Sequence, residues 1–483
     1  MTKVHTAFVD SPSALMPTRR HFVQATLPGV AAGALAGPSR VLADPQPSPG
    51  AAGVRGSTAM LQPNPDHPKP ATFDRLPLEW HKSAVRRLQQ KLGERGIDGI
   101  LLTDRWNIIY YTGLFHTSTE RPFACFIPTT DVAVHWFYPG LDTELIKSWW
   151  VTDADYYYDY PHAAGGFPDQ GRVATGPPVD IVEWRLKGLE KRGFGDKTIG
   201  LDQAPSTSLL KRMTDVLPKA KFQEVGDVCM RMRRVKTPEE LALTQRAYNY
   251  FSQIHAFARD YVLQHGTDLT DFKLGMAATE WGTDLIMKDI KRDGHPHTAV
   301  GITIDIGCRS GVGNAYPHPN QFHHNRIKRG DALQVAGGVK IGGCGGELYT
   351  PYQIAPWNAE REKVWEVMAE GSRMQVRMSK AGVRCQEIAS AIHEYQVKNG
   401  MQKYLYQRVA HGEGMEGHQE PYIALGDTTV LEEGMTFSME PGLFNKEGGY
   451  GYNPSDNVMV TKDKGVAMGS VPNLTKEWSV LKL

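Results

Sequence analysis

Four separated segments of the chain are rich in side chains that serve in catalytic and metal sites. Histidine, with an ordinary pKa near 6.5, can accept and donate a proton near neutrality, and carboxylates can hold divalent cations. A single histidine is more often packed or solvated than catalytic, so only the joint occurrence of the segments indicates a site. They are Arg234-Val-Lys-Thr-Pro-Glu-Glu-Leu241, Ala410-His-Gly-Glu-Gly-Met-Glu-Gly-His-Gln-Glu-Pro421, Leu431-Glu-Glu-Gly-Met-Thr-Phe-Ser-Met-Glu-Pro441 and Asp456-Asn-Val-Met-Val-Thr461.

In this order, the segments resemble the creatinase/prolidase/aminopeptidase P superfamily, which also includes the methionine aminopeptidases. Asn107-Ile-Ile-Tyr-Tyr-Thr-Gly113 is similar to a segment of that family's N-terminal domain. The resemblance implies an α/β (α+β) architecture, in which an N-terminal creatinase-type α/β domain precedes a C-terminal pita-bread domain. It also implies a hydrolase of peptidase family M24.

The resemblance assigns five positions to the family's pair of divalent ions, and this chain departs from the expected ligands at three of them. Ala336 and Ser455 stand where the first Asp and the last Glu are expected, and Glu347 replaces the second Asp, while His411 and Glu440 match. Carboxylates are needed there because two ions that share a bridging water concentrate positive charge. We therefore expect no tightly bound pair of ions and, most simply, no metal cofactor.

Two alternatives to a metal-free site stay open. Three protein ligands with one open position form catalytic zinc sites, so Glu347, His411 and Glu440 could hold one ion of Zn, Mn or Fe. A shifted register could instead place a true aspartate at the site, at Asp305 or Asp331.

Creatinases are family members that work without metal, and the resemblance to them suggests the catalytic groups. Their catalytic histidine lies in a segment that matches Asn314-Ala-Tyr-Pro-His318, which makes His318 the candidate general acid/base. Such a proton shuttle contributes roughly 10²–10⁴ to a rate. Glu440 can accept hydrogen bonds from a cationic or amide nitrogen of the substrate. His411 and His418 are expected to line the same pocket.

Arg121, Glu347 and Tyr422 are the candidate substrate-binding residues. By resemblance to creatinases, Arg121 would reach across a homodimer and hold a substrate carboxylate with its planar donors. An ordinary surface salt bridge is the alternative role for this arginine. Tyr422 stands where creatinases carry a second arginine, which argues against creatine itself as the substrate.

The favoured function is metal-independent hydrolysis of a C–N bond in a small, carboxylate-bearing compound. A metal-dependent Xaa-Pro dipeptidase or aminopeptidase with one remaining ion is the first alternative. The second is a lyase of a small organic acid, similar to the family branch that cleaves dimethylsulfoniopropionate, although that branch retains metal ligands. The last is a non-catalytic binding protein.

Composition fits a folded protein of more than one domain and argues against the strongly charged functional classes. The 483 residues include 41% hydrophobic and 22% charged side chains, and Lys+Arg and Asp+Glu nearly balance at 54 and 53. The chain lacks the excess of basic residues that is typical of nucleic-acid-binding proteins, so nucleic acid is not expected as a partner. The five cysteines lie far apart with no CxxC spacing, so we expect buried free thiols.

The N-terminus predicts export and an anchor-free mature protein. Arg19-Arg20, a weakly apolar Ala/Gly-rich run and Val41-Leu-Ala43 are typical of a twin-arginine signal peptide over residues 1–43, which implies a periplasmic or secreted location. The run is too short and too rich in glycine to stay in a membrane as a spanning helix. A Pro/Gly-rich, flexible linker is predicted over 44–72, the N-terminal domain over 73–229 and the pita-bread domain over 230–483.

Hydrophobic periodicity places elements around these segments. A helix is predicted over 80–93, and another after Thr237, where a Thr N-cap, Pro at the first helical position and two glutamates form a start signal. Strands are predicted at 99–103, 124–128, 133–137, 198–201, 333–335, 348–350 and 458–460. The paired glycines of 337–346 are expected to mark tight turns between strands.

Overall fold

The computed structural model describes residues 56–117, 119–150, 152–158, 180–291, 301–319 and 324–483. The predicted signal peptide (1–43) and the first part of the predicted linker (44–55) lie outside these ranges. Among the helices of the described residues, none is both long and apolar enough to cross a bilayer.

Residues 56–72 are ordered against the C-terminal domain. Ser57 is fully buried in a short 3₁₀ helix, Ser57–Met60, and its backbone N–H donates to the two carboxylate oxygens of Asp260 at 3.2 and 3.1 Å. Ala71 donates its backbone N–H to the carbonyl of Ala242 at 2.9 Å. The prediction of a flexible linker is wrong for this stretch, because its composition does not reveal partners so distant in sequence.

The N-terminal domain is a mixed sheet of six strands covered by helices. Its helices are α1 (Leu78–Gly93), α2 (Arg105–Thr112), α3 (Thr143–Lys147), α4 (Ile181–Leu189), α5 (Thr207–Val216) and α6 (Gly226–Arg234). Its strands are β1 (Gly99–Leu102), β2 (Ala124–Pro128), β3 (His135–Pro139), β4 (Asp153–Tyr157), β5 (Thr198–Leu201) and β6 (Lys221–Glu224). The strand order is β4-β3-β2-β1-β5-β6, with β1, β5 and β6 parallel to each other and β2 antiparallel to both of its neighbours.

Most elements predicted from the hydrophobic pattern of this domain are present in the structure, and their apolar residues form its core. The predicted helix over 80–93 is confirmed as α1, which buries Ala84, Val85, Leu88 and Leu92 along one face. The predicted strands at 124–128 and 198–201 are confirmed with the same bounds. The strand predicted from residue 133 begins two residues later, because the N–H of Ala133 is engaged in a turn with the carbonyl of Asp131.

The second half of the chain forms two five-stranded sheets, a short hairpin and their covering helices. The helices are α7 (Pro238–His265), α8 (Asp271–Met287), α9 (Ala359–Met378), α10 (Cys385–Lys398) and α11 (Lys476–Ser479). The strands are β7 (Thr303–Ser310), β8 (Ala332–Ile341), β9 (Cys344–Glu347), β10 (Thr350–Ile354), β11 (Ala410–Gly412), β12 (Gln419–Ile423), β13 (Thr436–Phe437), β14 (Leu443–Asn445), β15 (Tyr450–Tyr452), β16 (Val458–Val460), β17 (Gly465–Ala467) and β18 (Val480–Leu481). One sheet has the order β18-β10-β8-β7 with β9 also paired to β8, and the other has the order β12-β11-β13-β16-β17.

Helix α7 begins where the start signal predicts it and supports the first of these sheets. The hydroxyl of Thr237 accepts from the N–H of Glu240 at 3.4 Å, and the Glu240 carboxylate accepts from the N–H of Thr237 at 2.9 Å, which completes a capping box. Further along the helix, the Tyr248 hydroxyl donates to the carbonyl of Glu347 at 2.6 Å. The helix thereby fixes the backbone of a predicted site residue.

Both the fold class and the cysteine chemistry agree with the expectations from the sequence. The mixed α/β architecture is confirmed. All five cysteines are buried and free, so they pack as small apolar side chains.

Two buried histidines predict a loss of stability in mild acid. His255 on α7 is fully buried, its Nδ1 lies 3.0 Å from the Thr350 hydroxyl, and burial lowers its pKa to about 3. Burial also lowers the pKa of His81 to about 4. Histidines of the unfolded chain bind protons below about pH 6.5 while these two stay neutral in the folded chain, so stability falls as the pH drops. We expect the contribution of each of these two histidines to the free energy of unfolding in urea to decrease by about 2 kcal/mol between pH 7 and pH 5, measured as the difference between wild type and a variant that lacks the histidine.

The control for this prediction compares a buried with an exposed histidine. His255→Gln removes one histidine whose pKa burial lowers, so this variant should lose about 2 kcal/mol less than wild type between pH 7 and pH 5, whatever its effect on stability at pH 7. His393→Gln, at an exposed position of α10, should leave the dependence unchanged. Equal pH dependence in wild type and His255→Gln would contradict the assignment.

Candidate active site

Strands β7 and β8 form the first wall of the candidate site. They pair antiparallel, so that Gly307 lies opposite Ala336 and Arg309 lies opposite Gln334. Both Ala336 and Arg309 line a cavity between the two sheets of the domain.

A tight turn then brings Glu347 to the same wall. Gly342 and Gly343 connect β8 to β9 with φ angles of 59° and 74°, a region that glycine adopts without steric cost. The turn predicted from the paired glycines is thus confirmed at this pair. It sets Glu347 opposite Gly338, two residues along β8 from Ala336 and therefore on the same face of the strand.

The second sheet supplies the opposite wall. His411 is the central residue of β11, and its N–H donates to the Ser438 hydroxyl at 3.1 Å. Glu440 follows β13, and its N–H donates to the carbonyl of Val409 at 2.9 Å. The Glu440 carboxylate accepts from the Ser438 hydroxyl and from the Asn453 amide, each at 3.3 Å. Backbone and side chain of Glu440 are therefore both fixed.

Two histidines and two glutamates meet between these walls. His411 Nε2 lies 3.2 Å from a Glu440 oxygen and 3.7 Å from a Glu347 oxygen. His418 Nε2 lies 3.4 Å from the other Glu347 oxygen, and the two imidazole rings stack with centroids 3.8 Å apart. The structure thus brings together four of the residues predicted from the sequence.

The charges in this cluster stabilise each other. Burial by itself would lower the pKa of His411, but its contacts with Glu347 and Glu440 outweigh burial and raise the pKa to about 10. Burial would likewise raise the pKa of Glu347, but the contacts with His411 and His418 lower it. An imidazolium at His411 and a carboxylate at Glu347 follow from this balance.

A further glutamate lies directly behind the cluster. Glu413 is fully buried and accepts a hydrogen bond from the Glu347 N–H at 3.1 Å. Burial, together with the charge of Glu347, raises its pKa well above the ordinary range. A Cβ on Gly346 would approach a Glu413 oxygen to 2.3 Å, so a residue without a side chain is needed beside it. Glu413 was not predicted as a site residue, although it belongs to the same motif as His411.

The cavity above the cluster has a volume of about 750 Å³. This volume suits a small ligand. Predicted catalytic residues His318, His411, His418 and Glu440 all line it. The other lining residues are Gly307, Cys308, Arg309, Pro317, Pro319, Ala336, Tyr349, Tyr406, Gln407, Arg408 and Asn453.

Two family models match the chain on either side of the junction between α6 and α7. Residues 85–235 match the Creatinase/Prolidase N-terminal domain, and residues 242–462 match Metallopeptidase family M24. The chain belongs to the creatinase/prolidase family. As a member of M24 it is a hydrolase.

Relatives of this M24 protein match nearly their full length. The Xaa-Pro dipeptidase of Pyrococcus furiosus is 25% identical over 382 residues, which covers 79% of this chain and 96% of the relative. The probable dipeptidase PepE of Mycobacterium tuberculosis is 27% identical over 392 residues and covers 79% and 92%. The crystal structure of X-Pro aminopeptidase from Thermotoga maritima superposes with a TM-score of 0.66 at 19% identity, over 83% of this chain and 99% of that one.

The positions that the M24 resemblance assigns to a pair of ions do not fit two metals in this chain. Ala336 lines the cavity without a donor atom. Ser455 is fully buried, and its hydroxyl has no hydrogen-bond partner among the described residues. Neither Asp305 nor Asp331 lines the cavity, so the structure gives no support to the shifted register. With a neutral group at two positions, the site lacks the anionic donors that two dications need.

One ion would find three donors in this M24 site. Donor atoms of Glu347, His411 and His418 all lie within 4.8 Å of one another. This group contains His418 in place of Glu440, which the sequence suggested as the third ligand. Two imidazoles and one carboxylate form a donor set that suits Zn²⁺.

The predicted substrate-binding residues Arg121 and Tyr422 do not line the cavity of their own chain. Arg121 pairs with Glu120 at 2.6 Å, so a role for it across a dimer stays a prediction. Tyr422 lies opposite His411 on β12, and the guanidinium of Arg408 stacks on its ring with Cζ 4.2 Å from the ring centroid.

Two arginines of the cavity, Arg309 and Arg408, were not singled out in the sequence. Each lies in a segment that also carries a predicted histidine, Arg309 shortly before His318 and Arg408 shortly before His411. Proximity to a predicted histidine is the one feature of the sequence that indicates these arginines. No periodic pattern shows which side chains of these segments face the cavity.

Proposed function

We propose that this M24 hydrolase cleaves a C–N bond of a small, carboxylate-bearing compound without the family's dinuclear metal centre. The observation that carries the proposal is the composition of one cavity. His318 and Glu440 both line it, whereas the first of the positions assigned to metal ligands, Ala336, presents only a methyl group.

His318 is the proposed general acid/base. It is exposed on the loop after the 3₁₀ turn Gly311–Ala315, and the preceding carbonyl of Pro317 accepts a hydrogen bond from Arg309 at 3.0 Å. Its imidazole removes a proton from a water molecule, the water oxygen attacks the carbon of the scissile bond, and the same proton passes to the leaving nitrogen. The products are the hydroxylated carbon fragment and a free amine.

Glu440 is the proposed group that orients the substrate. Its carboxylate is held by Ser438 and Asn453 and stays within reach of the cavity. A charged acceptor in this place favours a cationic or amide N–H of the substrate.

A second candidate is a metal-dependent Xaa-Pro dipeptidase with one ion. The grouping of Glu347, His411 and His418 favours it. So does the similarity to the Xaa-Pro dipeptidase of Pyrococcus furiosus. A single ion bound there would supply Lewis-acid chemistry. The protein would supply three ligands, and buried Glu413 would hold the backbone of one of them by accepting from the Glu347 N–H.

Elemental analysis combined with a substrate screen distinguishes the two candidates. The purified full chain is assayed against Xaa-Pro dipeptides and small guanidino acids, with and without EDTA and 1,10-phenanthroline. We expect metal well below one equivalent per chain and turnover that chelators leave unchanged. Activity that is lost on chelation and restored by Zn²⁺ or Mn²⁺ would instead support the one-ion candidate, and a bound small molecule without turnover would support a binding protein.

Export and dimerisation belong to the proposal as separate parts. Export is supported by the order of Arg19-Arg20, the apolar run and the Val41-Leu-Ala43 cleavage signal, and fractionation of the producing cells tests it. A homodimer is supported by the resemblance to creatinases, and the mass in solution tests it.

A further inference from the structure

Two guanidinium groups line the cavity, and among the described residues neither forms an ion pair with a carboxylate. Arg309 lies on β7 and Arg408 lies just before β11, so they approach from the two opposite sheets. We propose that Arg309 and Arg408 form the subsite that binds the carboxylate of the substrate. The inference rests on the proposed function, because it assigns the anionic end of the same small substrate.

Arg309 is held in place entirely by neutral acceptors. Its Nε donates to the side-chain oxygen of Gln334, and its Nη1 donates to the carbonyls of Pro317 at 3.0 Å and Tyr316 at 3.4 Å. None of these partners balances its charge. Its hydrogen bonds within the described residues use Nε and Nη1, which leaves the Nη2 donors for a ligand.

Arg408 is positioned by stacking. Its Cζ lies over the Tyr422 ring, 4.2 Å from the ring centroid, which is a cation–π distance, and the Arg408 side chain is exposed. A cation–π contact does not consume the N–H donors of the guanidinium, so they stay available for a ligand. Tyr422 stands where the resemblance places the second arginine of creatinases, so here the aromatic ring supports an arginine from a neighbouring segment.

The charge of the cavity favours an anion beside these arginines. Glu440 is the one carboxylate among the residues that line the cavity within the described ranges. A carboxylate at position 336 would add a negative charge to the wall that carries Arg309, and Ala336 adds none. Planar guanidinium donors match a carboxylate better than they match a neutral amide.

The position of the subsite would also place the scissile bond of the substrate between the two proposed catalytic groups. Because Arg309 binds the carbonyl of Pro317, a carboxylate that Arg309 holds lies close to the loop of His318. The segment of Arg408 is tied to the other catalytic group, since Gln407 donates to the carbonyl of Glu440 at 3.0 Å. A small acid held by its carboxylate would thus present its nitrogen between His318 and Glu440.

Binding of matched acids and amides tests the subsite independently of turnover. The probes are N-acetylglycine, N-acetylalanine and N-acetylproline, each with its primary amide, titrated into the full chain by calorimetry. We expect at least one acid to bind wild type at least tenfold more tightly than its amide. Arg408→Gln and Arg309→Gln should each remove most of that preference, and Arg309→Lys should keep part of it.

Controls separate this result from misfolding and from the proposed reaction. Arg86→Gln, at an exposed position of α1, should bind acids like wild type, and circular dichroism checks each variant. If half-buried Arg309 does not tolerate substitution, the result for exposed Arg408 still decides. Equal binding of acid and amide, survival of the preference in Arg408→Gln, or no binding of any acid overturns the subsite. If the chain prefers acids to amides as expected but hydrolyses no C–N bond, the proposed subsite is supported and the proposed function is refuted.

Discussion

His318→Ala is expected to reduce kcat/KM for the cleaved substrate by a factor of about 10²–10⁴, the usual contribution of a general acid/base. The imidazole lines the cavity from an exposed loop, so its removal should cost little packing. Because one group both takes and gives the proton, kcat should fall while substrate binding changes little. Steady-state kinetics with the substrate found in the screen measure both parameters.

A matched histidine variant makes this result specific. His393→Ala, exposed on α10 and outside the cavity, should retain wild-type activity. Activity of His318→Ala within threefold of wild type would exclude His318 as the proton shuttle.

Local signals in the sequence were sufficient for elements whose causes are local. The capping box at Thr237 and Glu240 uses residues three positions apart, and the turn at Gly342 and Gly343 needs only the conformational freedom of glycine. Features that depend on distant partners were not visible. Ser57 is ordered by Asp260, which no property of a Pro-rich segment predicts.

The candidate site shows the same division between motif and tertiary contact. His318, His411, His418 and Glu440 belong to recognisable segments, and the structure gathers them at one cavity. To predict the role of Arg309, the register of β7 against β8 would have to be known, because its partner Gln334 lies on the neighbouring strand. That register depends on which faces of the two strands are buried, and no motif specifies it.

Ala336→Asp is expected to increase the affinity for Zn²⁺ or Mn²⁺ by roughly tenfold or more, because it returns an anionic ligand to the face that holds Glu347. The side chain would point into an open cavity, and the residue opposite on β7 is Gly307, so space is available. Ser455 is a poorer site for the same experiment, since a longer side chain there would enter a fully buried position. Titration calorimetry on chain first stripped with chelator gives affinity and stoichiometry.

An aspartate elsewhere provides the control for charge alone. Val312 is 54% exposed on the 3₁₀ turn after β7 and does not line the cavity, so Val312→Asp adds the same charge without a ligand and should not change metal affinity. If wild type already binds two ions per chain in this cavity, and Ala336→Asp adds nothing, then Ala336 is not a lost ligand. In that case the neutral groups at 336 and 455 would not determine the chemistry, and hydrolysis through a metal pair would have to replace the mechanism based on His318.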